Sequence, residues 1–183
     1  MPTMEEYLTR PLADRLGRLR TTPGQLTAQL GDRSDASLSR RPTASSWSAT
    51  EIICHLRDVE ELFLTRFLTM LALDEPAILT VSAPPDALAA WKIGGEVGHP
   101  LDPERWADER QYRRCDARLA LAAFERRRRE LLIVLDAPKP PEWRRTGVHL
   151  SRGPMALSDW VASVASHDDN HLEQLSRALD GRP

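Results

Sequence analysis

Apolar residues recur every three or four positions through four long segments of this chain, and that period constrains the fold more than anything else in the sequence. A helix with such a stripe must bury it against other helices. The first segment runs from about Glu5 to Leu30 and carries Leu8, Leu12, Leu16, Leu19, Leu26 and Leu30 on one face, with Pro11 and the Pro23-Gly24 pair as points where it bends or divides. A polar loop from Gly31 to Ser46 follows. The second segment has the clearest start. Ser48 reads as the N-cap with Glu51 three places on, Trp47 and Ile52 flank them as a hydrophobic staple, and the stripe continues through His55/Leu56, Val59, Leu62/Phe63, Phe67 and Met70 to about Leu73.

The third segment is expected from Asp116 to about Leu135, with Leu119, Ala122, Ala123, Leu131, Leu132 and Leu135 inward and Pro138, Pro140 and Pro141 as the stop. The fourth is expected from about Leu157 to Leu179, ending at Gly181, with Trp160/Val161, Val164, His167, His171, Leu175 and Ala178 on its stripe. Between the second and third lies an irregular stretch from Pro76 to Arg114, rich in proline and glycine, in which Asp102-Pro103 can open a short helix. Little reads as strand. The expectation is an all-α four-helix bundle in one domain spanning 1–183, and the long second connection permits an order such as up-down-down-up.

Composition removes several function classes. The 183 residues include no apolar run near the ~20 needed to cross a bilayer and no leader at the N-terminus, so a cytoplasmic protein with no membrane partner is expected. The net charge of −2 argues against nucleic acid as partner. Two cysteines, Cys54 and Cys115, form no disulfide framework, and Cys54 reads as a small core residue. The run from Arg126 to Arg129 points in four directions on a helix, beside Glu125 and Glu130, and reads as solvated surface with buried arginine stems.

The histidines carry the chemistry. His167 and His171 are four apart, so their imidazoles share one helix face and can share one metal ion. Asp168 replaces the glutamate of the metalloprotease motif. Both rings, and His55 in the second segment, fall where the stripe faces the core. A single such histidine reads as a core ring bonded to a carbonyl or carboxylate; three on two core faces read as ligands. Three neutral imidazoles suit zinc or nickel first, with iron, manganese or copper as alternatives, and leave a coordination position open. Asp58 is the nearest acceptor in sequence for the second nitrogen of His55, against the plainer role of pairing with an arginine. Asp168, Asp169 and Glu173 are expected to face solvent or neighbouring helices. His149 is a weak candidate for a fourth ligand or proton shuttle, ahead of His99. Trp91, Trp106 and Trp143 read as loop anchors or a lid.

Two blocks carry a family resemblance. Trp47-Ser48-Ala49-Thr50-Glu51-Ile52-Ile53-Cys54-His55-Leu56-Arg57-Asp58-Val59-Glu60 resembles the start of the second helix in DinB/YfiT-like proteins, and Ser166-His167-Asp168-Asp169-Asn170-His171-Leu172-Glu173-Gln174-Leu175 resembles their final helix. The resemblance implies an up-down-down-up bundle, a metal on His55, His167 and His171, and a homodimer. The superfamily includes bacillithiol transferases and a mycothiol-dependent maleylpyruvate isomerase, and many members are called metal-dependent hydrolases. A small-molecule substrate, with or without a thiol cosubstrate, is therefore expected. The alternative is a binding or stress-response module with a structural or vestigial metal. Ala156 stands where the family commonly has a capping threonine.

Overall fold

The protein is described by a computed structural model over residues 2–78, 103–149 and 152–183. In chain order its elements are helix α1 (Met4–Leu8), α2 (Leu12–Leu30), α3 (Asp35–Leu38), α4 (Ala49–Ala72), strand β1 (Ala77–Ile78), α5 (Pro103–Glu109), a 3-10 turn (Tyr112–Arg114), α6 (Ala117–Asp136), a second 3-10 turn (Glu142–Arg144), strands β2 (Thr146–His149) and β3 (Gly153–Ala156), and α7 (Leu157–Leu179). Four of these, α2, α4, α6 and α7, form the bundle.

Their directions follow from which residues meet. Arg15 donates to the Ser158 carbonyl, Thr22 to Asp168 and Gln29 to the Leu172 carbonyl, so α2 and α7 run parallel. Ile52 to Leu56 share an apolar cluster with Ala117 to Phe124, while Phe67 and Met70 share another with Leu131 and Leu135, so α4 and α6 are also parallel. Arg20 meets Asp136 whereas Thr27 meets Glu125, which makes α2 and α6 antiparallel. His55 meets His171 whereas Arg66 meets Trp160, which makes α4 and α7 antiparallel. The order is up-down-down-up. Parallel α4 and α6 force the chain to travel back about 36 Å, the length of the 24-residue α4, and this is why the second connection is long.

The local signals operate as physical chemistry requires. Ser48 Oγ accepts from the Glu51 amide and Glu51 reaches back to the Ser48 amide, closing the capping box, and Arg41 pairs with the same buried carboxylate. Asp116 caps α6 by accepting from the amides of Arg118 and Leu119. Ala156 gives α7 no side-chain cap; Asp159 accepts from its amide instead.

Four expectations need correction. The first long segment divides at Thr9–Pro11 rather than at Pro23, which stands inside an unbroken α2. Proline removes the amide that would bond the carbonyl four residues back, and that Leu19 carbonyl accepts from Arg128 Nη1 at 2.9 Å instead. The loop after α2 contains α3. The face of α6 is displaced: Ala117, Ala120, Leu121, Phe124, Arg128, Leu131 and Leu135 are buried, while Leu119 is 72% exposed. A small sheet also forms, with β1 parallel to β2 and β2 antiparallel to β3. Gly147 is required there, since a Cβ would lie 2.7 Å from Ile78 Cγ1 and 3.0 Å from Met70 Cγ. The sheet delivers His149 to the start of α7. A helical turn after Asp102 is observed as α5, while Asp102 itself, Trp91 and His99 lie outside the described residues.

Candidate metal centre

The antiparallel crossing of α4 and α7 brings His55, His167 and His171 together. Their ring centroids stand 4.4 to 5.3 Å apart, and one nitrogen from each lies within 4.8 Å of the others. Nε2 of His55 is 3.2 Å from Nε2 of His167. The fixed start of α4 sets the position of His55, and Trp47, just before the cap, packs its ring 5.1 Å from the His55 ring. Phe63, two turns along α4, meets His167 edge-on at 5.7 Å.

Burial lowers the pKa of all three rings. His55 is brought to about 3, first by burial and then by His171. His167 falls well below its ordinary value through burial and then through the other two rings. For His171 burial outweighs the opposing hydrogen bond to Gln174. All three are therefore neutral at neutral pH, the state in which imidazole offers a lone pair to a metal. Gln174 Oε1 stands 2.7 Å from Nδ1 of His171; as acceptor it keeps the proton on Nδ1 and leaves Nε2 as donor atom.

This donor set fits a divalent metal. Two nitrogens, each about 2.0–2.1 Å from one ion at a tetrahedral angle, stand about 3.3 Å apart, close to the His55–His167 separation. Among the described residues the metal-competent group comprises these three histidines, the pattern of a centre that keeps a position open.

Asp58 does not support His55. The Nδ1 atom of His55 has no hydrogen-bond partner among the described residues, while Asp58 accepts from Arg57, Arg110, the Tyr112 hydroxyl and Arg127. Burial alone would raise its pKa; the hydrogen bonds from Arg57, Arg110 and Tyr112 prevail and hold it at about 2. Its work is to fasten the returning connection to α4. His149 is outside the three-ring group. It packs 5.5 Å from Trp160 and lines a cavity of about 310 Å³ whose wall also includes His167.

The arginine run is the largest correction, and Asp168, expected to face solvent or a neighbouring helix, faces two helices at once. Arg128 is 1% exposed and sits between Glu60 (2%) and Asp168 (1%). Its Nε and Nη2 donate to the two Glu60 oxygens at 2.6 and 2.7 Å, and its Nη1 and Nη2 to the two Asp168 oxygens at 2.6 and 3.0 Å. The remaining Nη1 proton goes to the Leu19 carbonyl, so all five guanidinium N–H bonds are used. Thr22 adds a 2.6 Å hydrogen bond to Asp168. The partners come from three other helices, so nothing in the local sequence of α6 marks Arg128 apart from Arg127 or Arg129. Asp169 and Glu173 do face neighbouring side chains, Tyr7 with Arg18 and Arg177 respectively. The role of Gln174 was missed, although its position three residues after His171 is the signal that would have found it.

Cys54 is buried and burial pushes its thiol up to about 12, as a core residue requires. Trp106 and Trp143 pack partly buried against the apolar clusters as loop anchors. No helix among the described residues is long and apolar enough to cross a membrane.

Fold and site together define an up-down-down-up helical bundle with a histidine centre able to hold a metal. The DinB superfamily model matches residues 18–175, and the chain belongs to that superfamily. Among solved structures it is similar to YfiT from Bacillus subtilis, described as a probable metal-dependent hydrolase with an unusual four-helix bundle topology. The two share 16% identity at a TM-score of 0.73, over 97% of this chain and 88% of that one, a likeness of fold. No curated protein sequence matches the chain.

Proposed function

We propose that the protein is a metal-dependent enzyme acting on a small molecule, as a hydrolase or as a transferase that uses a low-molecular-weight thiol. The observation that carries this reading is the convergence of three neutral imidazoles, with two Nε2 atoms 3.2 Å apart and the third ring set by Gln174. A divalent ion held there supplies Lewis acidity, which activates water for hydrolysis or a thiol for transfer. The chain's own residues do the rest. His55, His167 and His171 bind and orient, Gln174 fixes the tautomer of His171, and Trp47 and Phe63 cover the rings and keep water from their apolar side. Three protein ligands favour catalysis over a structural role, because structural zinc sites are closed by four.

Elemental mass spectrometry of untagged protein purified without chelator tests this. About one ion per chain is expected for the wild type and almost none for His167→Ala. A wild-type chain that takes up no metal even after reconstitution would leave the three rings as core residues and favour the non-catalytic binding module.

A further inference from the structure

The cavity beside the metal centre has a chemistry of its own. One face of α7, at Ser163, Ser166, His167 and Asn170, lines it together with His149 and Arg152, from β2 and the turn after it, and with two methionines. Hydroxyl, amide, imidazole and guanidinium groups thus converge on about 310 Å³, and no aspartate or glutamate is among the described lining residues. That is unexpected in a chain whose acidic residues outnumber lysine and arginine, 27 to 25.

The positive character extends behind the wall. Arg66 is buried and lies 5.3 Å over the Trp160 ring, the same indole against which His149 packs. It is near enough to both His149 and His167 to help depress their protonation, after burial as the main cause. Arg152 is exposed at the rim, 2.9 Å from the exposed Glu5, a pair that water screens and that a ligand can exchange at little cost.

We propose that this cavity is a carboxylate-binding subsite: the substrate is a small organic acid whose carboxylate is held by Arg152 with Ser163 and Asn170, while its reacting end lies toward His167. Guanidinium forks match carboxylates, and hydroxyl and amide donors complete the remaining hydrogen bonds. The proposal rests on the metal-dependent reading for the reaction but not for the binding of the anion. A hydrolase or transferase built this way selects anionic over neutral substrates of equal size.

The test is a calorimetric titration of zinc-loaded protein with 3-mercaptopropionate and with 2-mercaptoethanol, which differ by the carboxylate. Metal-free protein is titrated in parallel with propionate, followed by NMR of the Arg152 Nε–H. The acid thiol is expected to bind about tenfold tighter than the neutral one. Arg152→Gln removes that preference, and Arg129→Gln, exposed on α6, keeps it. A shift of the Arg152 resonance with propionate, lost when Asn170→Ala removes a neighbouring donor, supports the subsite even in a chain that takes up no metal. Equal binding of the two thiols overturns the subsite and leaves the metal reading intact. A metal-free chain whose Arg152 resonance ignores propionate overturns it as well.

Discussion

Two polar clusters lie side by side in the middle of this bundle, one buried and one partly open, and adjacent residues of α7 belong to different ones: His167 to the histidine centre, Asp168 to the Arg128 network. The Arg128 network is complete in itself. Every guanidinium N–H has an acceptor and both carboxylates are engaged. Attraction to Asp168 and Glu60 outweighs burial and raises the pKa of Arg128, which keeps the cation charged. The histidine centre is incomplete by the same standard: it gathers one nitrogen from each of three rings within 4.8 Å, leaves Nδ1 of His55 without a partner among the described residues, and burial holds its rings neutral. A buried polar group that satisfies its own bonds works as architecture, locking α2, α4, α6 and α7 in register. One that turns unshared lone pairs inward works as a receptor.

The largest test of this contrast is Arg128→Met. It leaves Glu60 and Asp168 buried without their cation, and urea unfolding of metal-free protein should show a loss of about 3–5 kcal/mol. His171→Ala, measured the same way, should cost far less while abolishing zinc-dependent stabilisation. If the two losses are equal, the contrast between architecture and receptor fails.

Next in size is Gln174→Ala, which removes the acceptor on Nδ1 of His171 and should weaken zinc binding by about 10- to 100-fold with little change in metal-free stability. Competition with a chelating dye reads it.

The pH dependence separates the clusters further. Native His55 stays neutral down to about pH 3, whereas the unfolded chain binds a proton below about 6.5. Its folded pKa is depressed, so the stability it allows is fully present above about 6.5 and is lost as pH falls from there toward 3. The slope is about 1.4 kcal/mol per pH unit. In metal-free protein His55→Phe should flatten that slope in denaturant titrations at pH 4 to 7, and an unchanged slope would place the sensitivity elsewhere.

The smallest effect is expected from Thr22→Val, which removes one 2.6 Å hydrogen bond to Asp168. It should cost about 1 kcal/mol in unfolding and leave metal content unchanged.

Legibility in the sequence follows the range of the interaction. The start of α4 was readable because a capping box is closed by residues three apart, and α7 was readable end to end because its stripe is uninterrupted. The three histidines of the candidate centre were readable because histidine is conspicuous on an apolar stripe. The α6 face was misplaced because Arg128 occupies a core position that apolar counting skips, and Leu119 was drawn inward in its stead. Proximity in sequence left Asp58 open between His55 and an arginine; the arginines claim it, with Arg110 and Tyr112 returning from a long connection to do so. The strands were invisible because two to four residues carry too little period to register.

The sequence by itself determined the helices, the bundle and the identity of the three histidines, because a period of three or four and a cap are properties of neighbouring residues. Only the tertiary structure decided which of four consecutive arginines is buried, how Pro23 is tolerated inside α2, and that His167 lines a cavity with no acid among its described lining residues. Each of those depends on charges and carbonyls brought from other helices, and a buried charge is stable only where such partners arrive together.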